Sequence, residues 1–337
     1  MIQMSRTALF CPNKYCPYHG DCNNVIYLYG TYTTVNDSKP RQRFKCVGGD
    51  HTFSETAFSD IYGKHGSFME YSICSKLYCY GLNICEISDI LEHDYRTIES
   101  WTDCISRKSK AFHLSICISL LVSFLQLDEL WSYLKKKEKK LWVFTSIENN
   151  SRFWLNFELG SRTKVTANKL LKTLSTMILV QSGETIRFTT DKLAAYVHAI
   201  EEYFSGKYAY LQIVKVRYKK ILRTVKKEFI KGSSADFTGK TQNTSYVERH
   251  NLTLRDRVTY LGRKTIAYCK SKVQFERIMW INLFDYNYIK YHKSLRIKLT
   301  DKKVFMEKKY KHQTPAMKKG IVKEALNWRI LLTTPVL

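Results

Sequence analysis

The sequence has no uninterrupted apolar run long enough to span a bilayer, which argues against a chain built from membrane-crossing helices. Its opening, MIQMSRTALFCPNKYC, lacks the basic, apolar and small-residue segments of a secretory signal, so a cytoplasmic protein is expected. It has no internal repeat and no low-complexity linker, and domain boundaries must therefore be read from changes of pattern. Acidic residues are scarce: 30 Asp and Glu stand against 55 Lys and Arg, a formal net charge of +25. What is present is ample apolar content, 44% of 337 residues, sufficient for one large domain and one or two small ones. The ten cysteines do not suggest a disulfide scaffold, which belongs to short secreted chains; in a large intracellular one they read as reduced thiols or metal ligands.

The positive excess favours a polyanionic partner, because released counterions drive basic surfaces onto phosphate backbones. Residues 1–120 carry 12 basic and 12 acidic side chains, and residues 121–337 carry 43 and 18, so all of the excess lies in the second part. Residues 212–270 alone hold 15 basic and 4 acidic residues. A lysine-rich solvated surface is the plain alternative. Tyr and Phe interleaved with the cations favour nucleic acid, for which aromatic faces are stacking surfaces.

Three parts follow from the pattern. Residues 1–58 are rich in Cys, Gly, Asn, Tyr and Thr, with short alternating stretches such as VIYLYGTYTT and RQRFKC that suit small strands. Residues 59–112 hold three helical segments, FMEYSICSKLYCY, ICEISDILE and YRTIESWTDCISRK, in helix-turn-helix order. Residues 113–295 run as three strands (LVSFLQLDELWSYL, KLWVFTSIE, SRFWLNFEL), a helix (ANKLLKTLSTMIL), a strand (TIRFTTD), a helix (LAAYVHAIEEYF) and a strand (LQIVKV). That order predicts an α/β domain with a mixed sheet flanked by helices, as in an RNase H-like core. Residues 296–337 form a tail with no assigned role.

Cys11 and Cys16 are separated by four residues, as are Cys46 and His51, with a hairpin-like stretch between. Two such knuckles can close a tetrahedral zinc site, and a strand-rich module this poor in core residues needs a staple. His19 and Cys22 are competing ligands, and CVGGDH departs from the usual C-x-x-C. Cys74, Cys79, Cys85, Cys104 and Cys117 lie in apolar helical contexts and read as core. The helix-turn-helix would place Arg96, Thr97, Ser100 and Trp101 near a DNA groove. Acidic Glu92, Asp94, Glu99 and Asp103 work against that placement.

Two-metal phosphodiester chemistry needs acidic oxygens brought from distant parts of the chain to one edge of a sheet. Asp128 lies in the first strand of the α/β part, Asp191 ends TIRFTTD, and Glu248 opens the helical segment SYVERHNLTLRDRV. Asp191 could instead cap the following helix, and Glu248 could be a solvent-facing charge. Glu129 adjoins Asp128, and since adjacent strand residues face opposite ways, only one of the pair is expected to reach a shared metal; alternation does not say which.

LDELW at 127–131, TTDKLAAY at 189–196 and YVERHNLTLRDRVTYLGRKTIAYCKS at 246–271 resemble the catalytic blocks of the insertion sequence one family of transposases. The ribbon-like segment ending near QRFKC and the helix-turn-helix are similar as well, so the resemblance covers most of residues 1–290. It implies a DDE-type DNA transposase with Asp128, Asp191 and Glu248 as the metal-binding triad. It also implies two Mg²⁺ or Mn²⁺ ions per site and a zinc ribbon, for which the spacing offers Cys11, Cys16, Cys46 and His51 as ligands. The partner it implies is double-stranded DNA, both element ends and target, bound by a self-associating protein at the nucleoid. His250 and Asn251 resemble family positions that organise the metal or the scissile phosphate. Asn251 and Arg255 share a helical face with Glu248, and Arg249, Arg257, Arg263 and Lys264 flank it as candidate phosphate contacts. The rival expectation is a non-catalytic DNA-binding protein descended from a transposase.

Overall fold

Strands whose apolar runs are broken by polar residues build the large sheet, and the positions of those polar residues decide what the sheet presents at its end. The structure is a computed structural model that describes residues 11, 13, 15–19, 26–34, 37–48, 50–54, 56–57, 59–181, 183–206, 208–219, 221–237, 242–263, 267–299 and 310–333. The chain divides into two compact units, Met1–Tyr78 with Leu82–Phe112 and Leu326–Leu337, and Cys79–Gly81 with His113–Ala325.

In the first unit, β1 (Ile26–Thr34), β2 (Asp37–Cys46) and β3 (His51–Ser54) form an antiparallel sheet in that order. Its core is small, made of Cys11, Cys16, Phe44, Cys46 and Phe53 with Ile26 and Ala57 against them. Helices α1 (Phe68–Cys79), α2 (Ile84–Leu91) and α3 (Tyr95–Ile116) follow. A capping box starts α2: Glu86 N–H donates to Asn83 Oδ1 at 3.1 Å and Asn83 N–H to Glu86 Oε2 at 2.7 Å. Glu92, with φ 54°, ends it.

Two expectations change here. Trp101 is buried and stacks on Tyr71 with ring centroids 4.5 Å apart, so it serves the core and not a DNA groove. Its position follows from the register of α3, which buries Ile98, Trp101 and Ile105 on one stripe. Cys85 is exposed on α2, unlike buried Cys74, Cys79, Cys104 and Cys117, because α2 turns Ile84 and Ile87 inward. The third helix also runs eight residues beyond Lys108, where the sequence pattern stopped.

The second unit is a mixed α/β layer structure. A two-residue strand β4 (Leu120–Leu121) precedes β5 (Phe124–Leu134), β6 (Lys136–Glu148) and β7 (Trp154–Gly160), an antiparallel meander. Helix α4 (Lys164–Met177) leads to β8 (Ile178–Leu179), which pairs with β4, and then to β9 (Ile186–Thr190). Helix α5 (Ala194–Tyr203) connects β9 to β10 (Tyr208–Tyr218), and β11 (Ile221–Lys231) returns along β10. The sheet order is β11-β10-β9-β5-β6-β7, with β9 parallel to both β5 and β10. The mixed sheet and helix order match the sequence expectation; β11 was not foreseen.

Helices cover both faces. Glu129 is paired with Phe144, whose ring meets Tyr196 of α5 at 5.8 Å, so these three define one face. Asp128 is paired with Thr145, whose hydroxyl donates to Asn251 Oδ1 at 3.1 Å; Asn251 belongs to α6 (Ser245–Arg257) on the opposite face. Helix α7 (Lys272–Phe284) continues into a π-helical turn, Asp285–Ile289. Residues 296–337 are not a bare tail. They include β12 (Ile297–Lys298) paired with β13 (Tyr310–Lys311), and α8 (Pro315–Lys319), and in the first unit α9 (Trp328–Thr333), whose Leu332 carbonyl accepts from Asp60 N–H at 3.3 Å.

Because β7 is an edge strand, its outward backbone groups need partners. Asn287 in the π turn supplies both: its Oδ1 accepts from Trp154 N–H at 2.9 Å, and its Nδ2 donates to the Trp154 carbonyl at 2.8 Å. Asn287→Ala leaves a buried donor and a buried acceptor unpaired and should destabilise by about 2–4 kcal/mol in denaturant unfolding. Asn287→Asp, which keeps the acceptor but sets a buried carboxylate against the Trp154 carbonyl, should destabilise at least as much; equal stability of Asn287→Ala and wild type would show that this cap contributes nothing.

Candidate active site

The parallel pairing of β5 with β9 spans only Phe124 to Gln126, and beyond it the two strands part. Asp128 lies two residues past the last pair on β5, and Asp191 is the first residue after β9. Helix α6 is brought to the same place by Gln126, fully buried, whose Oε1 accepts from Tyr246 and Val247 N–H at 3.0 Å each. Gln126 Nε2 donates to the Asn243 carbonyl at 2.8 Å. A strand side chain therefore caps α6, and Glu248 in its first turn faces the cleft with the favourable end of the helix dipole. Gln126 was missed by sequence reasoning; its signal was a buried-type amide two residues before Asp128, hence on the same face.

A cleft of about 500 Å³ results, lined by Asp128, Glu129, Asp191, Glu248, Lys215 and Arg255 among others. Carboxylate oxygens of Asp128, Glu129 and Asp191 lie within 4.8 Å of one another. The expectation that only one of Asp128 and Glu129 could reach the cluster is thus corrected. The two do point to opposite faces, but Asp191 sits beyond the last paired residues, where both can approach it. Asp128 Oδ2 accepts from Asn251 Nδ2 at 2.8 Å, on the α6 face with Glu248. Glu129, on the α5 face, accepts from Arg162 Nε and Nη2 at 3.2 and 3.1 Å.

Two cations that the sequence did not single out complete the electrostatics. Arg162 Nη2 also reaches Asp191 Oδ2 at 3.4 Å, and its guanidinium lies 5.0 Å from the Trp142 ring centroid. Lys215 Nζ donates to Glu248 Oε1 at 2.5 Å, as does Thr244 Oγ1 at 2.5 Å. Even so, burial first and the Asp191 charge second push Asp128 up to about 6 and Glu129 up to about 8. Burial raises Asp191 as well, against the opposing pull of Arg162. Asp191 Oδ1 and Glu129 Oε1 are buried without a hydrogen-bond partner among the described residues.

The basic and polar positions on α6 separate by face. Val247, His250, Leu254 and Arg257 point into the core, whereas Glu248, Asn251 and Arg255 line the cleft and Arg249 is exposed. His250 packs edge-on to Trp154 and Tyr286, both at 4.5 Å, with neither ring nitrogen hydrogen-bonded among the described residues; burial pushes its pKa down to about 3. Arg257 donates to Asp285 Oδ2 at 2.7 Å, both side chains nearly inaccessible. The expectations that His250 organises the metal or the scissile phosphate and that Arg257 contacts phosphate are therefore corrected, the seven-residue helical spacing between them turning both inward. Arg255 Nη1 donates to the Leu261 carbonyl at 2.8 Å, and exposed Arg263 lines the cleft rim. Lys264 lies outside the described residues.

In the first unit, Cys11, Cys16 and Cys46 place their sulfurs within 4.8 Å of one another. Cys16 and Cys46 sulfurs are 3.7 Å apart, and Cys11 Sγ is 3.1 Å from His51 Nε2. Cys46 and His51 are direct partners across β2 and β3, which is how the second knuckle converges on the first. His19 Nδ1 is 2.8 Å from the Cys11 carbonyl, and Cys22 lies outside the described residues. Burial pushes the Cys11 thiol up to about 12. Arg96 and Ser100 are exposed on α3, and Thr97 is half-buried.

A family profile described as IS1 transposase matches residues 226–289, from the end of β11 through α6, α7 and the π turn. The protein named Insertion element IS1 protein InsB, from Shigella flexneri, is 26% identical over 163 residues, 48% of this chain and 95% of that protein. Insertion element IS1 2 protein InsB, from Escherichia coli (strain K12), is 24% identical over 163 residues, 48% of this chain and 75% of that protein. A chain in the crystal structure of the Mos1 Strand Transfer Complex overlaps 66% of this chain and 76% of that one at 11% identity and a TM-score of 0.22, too loose a likeness to carry an argument. The profile and the relatives support a transposase. Both comparisons liken the chain to the IS1 family, the profile over residues 226–289 and the relatives over 48% of its length.

Proposed function

We propose that the chain is a DDE-type transposase with an RNase H-like catalytic unit, cutting DNA at the ends of its element and joining the freed 3′-hydroxyls to target DNA. The observation that carries the reading is that Asp128, Asp191 and Glu248 line one cleft, with carboxylate oxygens of Asp128 and Asp191 within 4.8 Å of each other. Glu129 is also within reach of Asp191, but its carboxylate is engaged by Arg162, whereas Asp128 is held by Asn251 on the side of Glu248, which favours Asp128 as the ligand.

The donor set fits divalent cations: it consists of hard carboxylate oxygens, one of them, Asp191 Oδ1, buried and without a hydrogen-bond partner among the described residues. Asp128, Asp191 and Glu248 would hold two Mg²⁺ or Mn²⁺ ions, which supply Lewis-acid polarisation of the scissile phosphate and the attacking oxygen. The residues of the chain then divide the remaining work. Asn251 fixes the orientation of the Asp128 carboxylate, Arg162 keeps Glu129 off the α6 side, and Arg255 and Arg263 present guanidinium groups to the phosphates at the rim. Specificity for terminal repeats is assigned to the first unit, through the helix-turn-helix positions Arg96, Thr97 and Ser100 and a zinc ribbon. Cleavage of paired ends implies self-association on DNA.

Labelled duplex carrying the element's own flanking repeats, incubated with the purified protein and Mg²⁺ or Mn²⁺, is the direct test. Asp128→Ala, Asp191→Ala and Glu248→Ala should each lose at least about 10²-fold in cleavage with DNA affinity retained, since they remove ligands and not phosphate donors. Glu129→Gln should keep most of its activity. Full activity of Asp128→Ala beside an inactive Glu129→Gln would move the assignment by one residue, and binding without any cleavage by wild type would favour a non-catalytic DNA-binding protein.

The zinc assignment rests on donor spacing. Zn–S bonds of about 2.3 Å set sulfurs roughly 3.8 Å apart in a tetrahedron, close to the 3.7 Å between Cys16 and Cys46. Elemental analysis of the full chain should find one zinc, lost in the double variant Cys11→Ser/Cys46→Ser together with thermal stability. Zinc retained by that variant would rule out this ligand set.

A further inference from the structure

We propose that the β10–β11 hairpin is an arm that grips duplex DNA beside the carboxylate cleft, an inference that rests on the reading of the chain as a DNA-cutting transposase. The root of the arm is part of the sheet. Strand β10 pairs with β9 from Tyr208 to Gln212, and side chains there are buried. Beyond Gln212 its only partner among the described residues is β11, from Ile213 opposite Lys227 to Tyr218 opposite Ile221. From Lys215 onward the described side chains of the ribbon are exposed up to Lys227.

The composition of this ribbon is what a solvated hairpin does not require. Residues 213–231 contain eight basic residues and a single acidic one, and that one, Glu228, is engaged by Lys192 at 2.9 Å. Lysines on an edge strand guard against pairing with another sheet, but they do not account for Tyr218 and Ile221 at the tip, 59% and 60% exposed. A two-stranded hairpin is marginal in water without a covering surface. Lys219 and Arg223 lie 5.7 and 5.9 Å from the Tyr218 ring centroid, so the tip combines cationic and apolar groups. Phosphates match the charge, and base edges or sugars match the apolar side chains.

Position fixes the partner further. Lys215 sits in the cleft on Glu248, so the arm leaves directly from the reacting centre. At about 3.4 Å per residue the tip at Lys219 lies roughly 14 Å from there. That is about four base pairs of duplex, whose major groove admits a two-stranded ribbon.

The test uses the full chain, a duplex oligonucleotide and fluorescence anisotropy across a salt series. Lys219→Gln/Arg223→Gln/Lys226→Gln should reduce the slope of log affinity against log salt by about 0.9 for each phosphate left without its cation, up to about 2.7. The same charge removed from α4, in Lys164→Gln/Lys169→Gln/Lys172→Gln, should change the slope by less than half as much. Tyr218→Ala should weaken binding several-fold with the slope unchanged. Equal slopes for wild type and the arm variant, or equal reductions for the arm and α4 variants, would overturn the proposal. So would an unchanged slope with altered sedimentation of the DNA-free protein, which assigns the ribbon to a second copy of the chain. Cleavage by wild type at saturating DNA tests the transposase reading separately, because the arm variant leaves every cleft residue in place.

Discussion

Repulsion among carboxylates gathered in a partly dehydrated cleft is the constraint to which the rest of the site answers. Asp128, Glu129, Asp191 and Glu248 are brought together by backbone geometry, not by mutual attraction: a parallel strand pair that ends early, and a helix capped by Gln126 from the neighbouring strand. Their cost is met by protons held to unusually high pH and by two cations, Arg162 on the α5 side and Lys215 on the α6 side. A fold that needed only stability would fill such a position with apolar side chains.

The same constraint explains the separation of roles along α6. Its inward stripe anchors the helix through Val247, Leu254 and the buried Arg257–Asp285 pair, so that Glu248, Asn251 and Arg255 can be presented at fixed height over the sheet. Asn251 bridges Thr145 of β6 and Asp128 of β5, linking helix position to carboxylate position. Neutral His250, wedged between Trp154 and Tyr286, belongs to that anchoring and not to the surface.

Much of this was legible in the residues. Strands β5, β6, β7 and β9 carry apolar runs of strand length, and the three acids fall at or next to strand and helix ends, so the succession of strands and helices and the carboxylate candidates could be read directly. The cysteine spacing likewise foretold the sulfur cluster. What escaped depends on tertiary neighbours. Arg162 lies in a loop and Lys215 on a strand, and nothing local marks either as a partner of a distant acid. Strand β11 lacks an alternating pattern because its distal part is exposed on both faces, so its basic residues could be read as a contact for nucleic acid but not as a strand. Arg257 was read as a phosphate contact and His250 as a residue at the metal or phosphate, because nothing local reveals Asp285 or the aromatic wall that take them inward.

The claim that the cleft is built for divalent cations is tested most directly by thermal unfolding of the full chain with and without Mn²⁺ across pH. Asp128 and Glu129 hold protons more tightly folded than unfolded, their values raised from 3.8 to about 6 and from 4.5 to about 8. The metal-free protein therefore loses stability as pH rises through that range, while cation binding to deprotonated oxygens gains. An Mn²⁺-induced rise in Tm should grow from about pH 5 to about pH 8 and vanish in Asp128→Asn/Asp191→Asn. A rise that is independent of pH, or that persists in the double variant, would contradict a cleft built for divalent cations.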